Sequence, residues 1–434
     1  MNSLKYYNIN EPGKIVSLRS AVLTGIAGSR GLYMPERIPV LSRDFYRRLP
    51  DLSLKEIACE VSEKFLEGLL PVDAIKQIIS TSMNFQIPLV QLDEKLFVLE
   101  LFHGPTLAFK DAGARFMAAL FEYLLEGEKK ETTILVATSG DTGSAVASAF
   151  YKCKGINVVI LYPSGRVSNI QEKMLTSMGE NITALEVEGD FDDCQRLVKE
   201  AFTDKDINEA MNLTSANSIN LARLIPQTFY YFHAIARLNH SADQATISVP
   251  SGNYGNLTAG VFAWNMGLDV KQFVASSNAN HPVTDYLETG IYKPQPSKHT
   301  ISTAMDVGDP SNFPRLLKLF DNDHGKLASL IKGYWFTDDD TFEAMRELEE
   351  RYGYQADPHG AVAYLGLKRQ MAGSDGAGIF FETAHPVKFQ SEVEKATGKK
   401  VVMPDSLTEL LHSERKSIKI KASFDELKRF LLFS

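Results

Sequence analysis

Thr133-Ile-Leu-Val-Ala137 is an apolar run of strand length, and Thr138-Ser-Gly-Asp-Thr-Gly143-Ser-Ala follows it directly. The second stretch consists of small and turn-forming residues, and Ser144 to Tyr151 behind it has helical character. Strand, glycine-rich turn and helix in that order make a βα unit. The same succession recurs. Ala245-Thr-Ile-Ser-Val249 precedes Ser251-Gly-Asn-Tyr-Gly-Asn256 and a helix over Leu257 to Trp264, while Ile156–Leu161 and Gly378-Ile-Phe-Phe-Glu382 are further buried-strand candidates. Leu96–Leu101 is strand-like, and Phe109–Leu125 has an apolar stripe through Ala112, Phe116, Leu120 and Tyr123. Such alternation predicts an α/β fold of mostly parallel sheets covered by helices on both faces.

Outside this region the pattern changes. Residues 1–84 read as a mainly helical N-terminal domain: Ser53-Leu-Lys-Glu56 is a capping box leading into Ile57, Val61 and Phe65 at helical spacing, and Pro35, Pro39, Pro50 and Pro71 keep the helices short. Two lobes follow, at 85–225 and 226–434. A second capping box, Ser423-Phe-Asp-Glu426, opens a C-terminal helix expected to turn Phe424, Leu427, Phe430 and Leu431 inward.

With 434 residues, 44% apolar and 23% charged, the chain has the balance of a globular protein with room for several cores. Its net charge of −8 disfavours nonspecific binding to nucleic acid or anionic lipid. The three cysteines, Cys59, Cys153 and Cys194, form no CxxC pair, which fits a reducing compartment. Met1 to Asn8 lack the apolar core of a signal peptide, so the expected location is the cytoplasm. The uncharged run Gln244–Leu268 is interrupted by glycines, asparagines and a proline and is no membrane span.

Both glycine-rich turns offer backbone N–H groups at a helix start, where the dipole is positive and anions bind. Each is also compatible with an ordinary βα connection. Neither has the GxGxxG spacing of dinucleotide folds or the Gly-Lys-Ser/Thr ending of nucleotide-triphosphate loops. In a doubly wound sheet both would open at the carboxyl edge, suggesting one ligand with two anionic ends. Lys110, in His103-Gly-Pro-Thr-Leu-Ala-Phe-Lys-Asp-Ala-Gly113, falls in the first turn of a helix beside Phe109. Dipole and desolvation would both favour its neutral, nucleophilic amine; the alternative is a solvated lysine. None of the nine histidines has metal-ligand spacing and no serine lies in a GxSxG elbow, so neither a metal site nor acyl transfer is predicted.

Gly104-Pro-Thr-Leu-Ala-Phe-Lys-Asp111, Thr138–Gly143, Ser251–Asn256, Met305-Asp-Val-Gly-Asp-Pro-Ser-Asn312 and Glu382-Thr-Ala-His-Pro386 together resemble the threonine synthase family, as does Gly31-Leu-Tyr-Met-Pro-Glu36 near the start. That family belongs to the fold-type-II enzymes of pyridoxal 5′-phosphate, the tryptophan-synthase-β-like class. The resemblance implies a lyase in which Lys110 holds the cofactor as a Schiff base, the turn Gly252, Asn253, Tyr254, Gly255 and Asn256 cradles its phosphate, and Thr383 meets the pyridine nitrogen. It further implies that Ser139, Asp141 and Thr142 receive the substrate carboxylate. Many fold-type-II relatives carry asparagine in place of Asp141, so the contact made by Asp141 stays open. The implied reaction converts O-phospho-L-homoserine and water to L-threonine and phosphate, the last step of threonine biosynthesis, in a monomer or homodimer.

The substrate phosphate needs a site of its own. The segment His299–Arg315 offers Ser302 and Ser311 as neutral donors and Arg315 as a bidentate cation. Its alternative is a structural turn with Arg315 on a solvated helix face. A serine or threonine dehydratase of the same fold and a catalytically silent binding protein are the rival readings; the Met305–Asn312 segment and the N-terminal domain argue against the first, the intact Lys110 against the second.

Overall fold

The computed structural model describes residues 4–25, 31–238 and 245–433. Met1 to Ser3 of the N-terminal stretch and Gln244 of the uncharged run lie outside the described residues. Among the described residues the strands run in chain order as β1 (Tyr6–Asn8), β2 (Glu11–Val16), β3 (Tyr33–Pro35), β4 (Leu89–Asp93), β5 (Leu96–Glu100), β6 (Thr132–Ala137), β7 (Ile156–Pro163), β8 (Ile182–Glu188), β9 (Asn212–Thr214), β10 (Thr246–Pro250), β11 (Gln272–Ser277), β12 (Ile331–Trp335), β13 (Gly378–Glu382) and β14 (Ser417–Lys421). Two mostly parallel sheets dominate. The five-stranded one has the order β14-β8-β7-β6-β9, and the six-stranded one the order β12-β11-β10-β13-β5-β4, with only β4 antiparallel to its neighbour. The expected strands are present, and their buried central residues, such as Ile134 to Ala137 and Ile247 to Val249, are the signature of sheets covered on both faces.

Sheet membership does not follow the linear division at residue 225. β4 and β5 join the sheet built mainly from residues 246–382, with Leu96 opposite Gly378, and β14 returns to the earlier sheet, with Ser417 opposite Ala184. Parallel pairing demands long crossovers, so partners are set by packing and not by proximity along the chain.

The N-terminal segment is mainly helical, as expected, with helices Leu18–Thr24, Arg43–Arg48, Leu54–Leu66 and Val72–Ser82. The capping box at Ser53 is formed, with Ser53 N donating to Glu56 Oε2 at 2.7 Å and Glu56 N to Ser53 Oγ at 3.3 Å, and it opens the helix Leu54–Leu66. Yet β1, β2 and β3 form a small antiparallel sheet in the order β2-β1-β3. β1 and β3 are too short to display an alternating pattern, and the Pro-Gly pair within β2 reads locally as a turn.

Three further details bear on the site and the chain's end. The helix Lys110–Leu124 buries Ala112, Phe116 and Leu120 but leaves Tyr123 on its outer face. The helix after β6 begins at Asp141, ahead of the expected Ser144, because Gly140 adopts φ 131° and lets the chain enter the helix at once. At the C-terminus Leu427 and Leu431 are buried as expected, and Glu426 Oε2 accepts from Lys421 N at 2.8 Å. Among the described residues no helix is long and apolar enough to cross a membrane.

Candidate active site

The turns after β6 and β10 face a common cavity of about 1050 Å³ between the two parallel sheets. Lys110 lines it, as do Ser139, Thr142, the whole of Gly252 to Asn256, Ser311 and Thr383. Lys110 is the first residue of its helix, and its Nζ lies 5.5 Å from the centre of the Phe109 ring. Burial, the largest influence, holds its amine below the ordinary lysine range; Asp141 opposes this, while Lys388 and Arg223 reinforce it. The residue before it is bound to the segment after β13, because Phe109 N donates to Thr383 O at 2.9 Å. Lys110 and Thr383 are therefore held at a fixed separation by backbone.

Close approach explains the turn at Gly252. A Cβ there would sit 2.7 Å from Met305 Cα and 3.0 Å from Ala304 O, so only glycine lets this turn pack on the Thr303–Met305 segment. Tyr254 then takes a left-handed φ of 60° and the helix Gly255–Asn265 begins. The side chains of this turn are occupied in holding it. Asn253 donates to Ser218 Oγ at 2.8 Å and accepts from Ser311 N at 2.6 Å, the Tyr254 hydroxyl pairs with Ser277 Oγ, and Asn256 donates to Pro250 O and accepts from Leu257 N. What the turn offers a ligand is its backbone N–H groups at a helix start, which is the chemistry a phosphate requires.

In the turn after β6, Thr138 Oγ1 accepts from Gly140 N at 3.0 Å and from Gly143 N at 2.8 Å. The first-turn N–H groups of Asp141 and Thr142 have no partner within the helix, and the hydroxyls of Ser139 and Thr142 border the cavity. This end suits a carboxylate. A nucleophilic amine between two anion cradles, with a hydroxyl at Thr383 opposite, matches the needs of pyridoxal phosphate.

Residues 82–380 match the family described as pyridoxal-phosphate dependent enzyme, residues 5–83 the threonine synthase N terminus and residues 360–431 the threonine synthase C-terminal region. The chain belongs to the threonine synthase family. It is 43% identical over 432 residues to threonine synthase of Haemophilus influenzae, covering 99% of this chain and all of that one, and 40% identical over 431 residues to that of Escherichia coli, covering 99% of each. The fold is similar to the crystal structure of the Escherichia coli threonine synthase, with a TM-score of 0.93 at 39% identity, and to a threonine synthase from Brucella melitensis described as bound to the cofactor, with 0.91 at 32%; each match covers 99% of both chains. A likeness to maize serine racemase, with a TM-score of 0.55 at 15% identity, reflects the shared fold-type-II scaffold alone.

For a threonine synthase, two of the expected phosphate residues are out of place. Arg315 is fully buried and outside the cavity lining; its guanidinium donates to Asn312 Oδ1, to Tyr33 O and to Ile219 O, tying β3 and the loop before residue 220 to the helix Phe313–Leu319. Neither the phosphate role nor the solvated-face alternative fits it. Ser302 is likewise buried, pairing with Asn278 and Thr300, and only Ser311 of that trio borders the cavity. Asp141, 4% exposed, stands behind the lining.

Arg315→Met is therefore expected to leave the carbonyls of Tyr33 and Ile219 unsatisfied, at about 1–3 kcal/mol each. A fall in thermal midpoint should accompany equal losses on every substrate; a loss confined to phosphorylated substrates would restore a binding role.

Another cation takes the position at the cavity. Arg223 lines it yet is only 3% exposed, donates to Ala216 O, and has a buried Nε with no hydrogen-bond partner. Burial lowers its guanidinium only to about 10, so it stays charged at neutral pH. Asn217, Ser218 and Gln227 border the cavity near it in sequence. Its signal was a lone arginine inside the apolar stretch Leu221–Ile225, a position where a charge needs a reason.

Proposed function

We propose that this site performs the reaction implied by the resemblance: O-phospho-L-homoserine and water become L-threonine and phosphate. The observation that carries the reading is the buried, amine-favouring environment of Lys110 between two helix-start anion cradles. Pyridoxal phosphate, bound through the Lys110 amine, supplies the electron sink that makes the substrate's Cα and Cβ protons acidic. The backbone N–H groups of Gly252 to Asn256 hold its phosphate, and the Thr383 hydroxyl meets its ring nitrogen.

The chain's own residues do the rest. Ser139 and Thr142, with the first-turn N–H groups beside them, fix the substrate carboxylate. Freed from the cofactor, the Lys110 amine removes the Cα proton and then serves the Cβ proton, being beside both. The Cγ–O bond breaks and phosphate departs with its bonding electrons. Water adds its hydroxyl at Cβ, and protons return to carbon to complete threonine. Arg223 is the cation for the leaving phosphate, in the role first expected of Arg315, with Ser311 a neutral donor at the opposite wall. The reading includes a cytoplasmic enzyme acting as a monomer or homodimer.

Incubating the protein with pyridoxal phosphate and O-phospho-L-homoserine should release phosphate and threonine in equal amounts. A keto acid from serine, with no phosphate chemistry, would make it a dehydratase instead. Thr383→Ala is expected to weaken cofactor binding or turnover about fivefold, since one net hydrogen bond is worth about 1 kcal/mol. Spectroscopic titration with pyridoxal phosphate checks this; unchanged affinity and turnover would remove Thr383 from the site.

A further inference from the structure

Tertiary packing brings two lysines to the carboxylate of Asp141. Lys388, in the short turn Pro386–Phe389 after β13, places Nζ 2.7 Å from Asp141 Oδ1, and Gln171 Nε2 donates to the same oxygen at 2.9 Å. The other oxygen, Oδ2, lies 4.0 Å from Lys110 Nζ. Lys388 is anchored a second time, donating to Thr106 O at 2.7 Å, while Thr106 N and Oγ1 donate to Asp111. Lys388 and Asp141 both stand behind the cavity lining, whereas Lys110 is part of it. The three charges form a row leading from the cavity into the protein.

The row answers the question left open at Asp141. With Lys110 as its only partner, the carboxylate would be stranded in an apolar interior whenever that amine is neutral or engaged elsewhere, and burial would drive it to the neutral acid. The Lys388 amine, bonded to Oδ1, removes that liability. Burial does push Asp141 upward, but Lys388 and then Lys110 outweigh it and hold the carboxyl below its ordinary range.

We infer that Lys388 is a positioning residue for Lys110: by holding Oδ1 of Asp141 from behind the cavity wall, it keeps the carboxylate paired independently, so that Lys110, which faces Oδ2, can give up its proton without stranding a buried anion. The inference deepens the reading of Lys110 as the amine of the site and rests on it. Other charged groups around the row are Arg223, which disfavours the Lys110 ammonium, and Asp357, which favours it; Lys388 also faces Asp111 and His385. None of these bonds Asp141 in place of Lys388.

The test follows the reactivity of Lys110 toward an amine-directed reagent, trinitrobenzenesulfonate, as a function of pH in the full-length protein freed of pyridoxal phosphate, with the modified peptide quantified by mass spectrometry. Asp141→Asn removes the anion and leaves Lys388 uncompensated, so the midpoint should fall by on the order of one pH unit. Lys388→Met leaves Lys110 as the sole cation beside Asp141, so the midpoint should rise by a similar amount. The double variant Asp141→Asn, Lys388→Met should return near the wild-type value. Should Lys388→Met fail to fold, the comparison of Asp141→Asn with the charge-balanced double variant still decides, because only the former retains the unpaired cation. A purely structural ion pair would leave the midpoint unmoved in all three, and that result, or shifts of the same sign in both single variants, overturns the inference. Borohydride trapping of pyridoxal phosphate on the wild-type protein tests the role of Lys110 separately, so failure of one reading does not mimic failure of the other.

Discussion

Replacing Lys110 by alanine is expected to lower phosphate release from O-phospho-L-homoserine by at least about a thousandfold. A positioned acid–base group contributes on the order of 10²–10⁴ in rate, and in the proposed reading the same amine also carries the cofactor. The fold should persist, since alanine is at least as good a helix former as lysine at the first position of Lys110–Leu124 and no backbone bond is lost. Borohydride treatment of the holoenzyme should place reduced pyridoxal phosphate on Lys110 in the wild type and nowhere in the Lys110→Ala protein. The side chain is largely withdrawn from solvent and its amine held below its usual range, so its neutral fraction near neutral pH exceeds that of a solvated lysine. An adduct on another lysine, or turnover within tenfold of wild type, would dismantle the assignment of every role built around it.

The second large effect belongs to Arg223. Arg223→Met should reduce kcat/KM for O-phospho-L-homoserine ten- to hundredfold, the range expected when a charge-assisted hydrogen bond of about 1.5–3 kcal/mol is lost. If the contact is made equally in ground and transition states the change appears in KM; if it tightens as phosphate departs, kcat falls as well. Side reactions on unphosphorylated serine should be unaffected. Stability should fall less than in Arg315→Met, because one carbonyl, Ala216 O, loses its donor against two in that variant, and the buried cation removed has no carboxylate within ion-pair distance among the described residues and an Nε with no partner. Parallel runs of both substrates on both proteins settle it, and equal losses on the two would reduce Arg223 to a structural residue. Against Arg315→Met, whose effect should be a lower thermal midpoint, the contrast separates the two arginines cleanly.

The parts of the site legible in the sequence share one property. The turns at Thr138–Gly143 and Ser251–Asn256 and the helix-start lysine are defined by neighbours within a few residues: small side chains, glycines that allow close approach, and a helix that begins directly afterwards. Arg223, Lys388 and Arg315 have no such local signature. Arg223 and Arg315 both stand in largely apolar helical turns, yet one meets the cavity and the other is spent on the carbonyls of Tyr33 and Ile219. Nothing within either segment distinguishes them, because the deciding partners come from elsewhere in the chain. The same holds for Ser302, drawn inward by Asn278, and for Asp141, whose charge is acceptable only where Lys388 reaches it.

Local chemistry thus determined the α/β class, the βα turns, the helix-start position of Lys110 and, through motifs in their order, the family. Those features depend on hydrogen-bond geometry, conformational preference and hydrophobic period, all of which act over a single turn or strand. The tertiary structure alone decided that β5 pairs with β13 and β14 with β8, that Arg223 and not Arg315 borders the cavity, and that Asp141 is paired with Lys388 behind the wall. Electrostatics and burial act through space, so the state and role of a charged side chain follow from what the fold packs against it, whatever its neighbours along the chain.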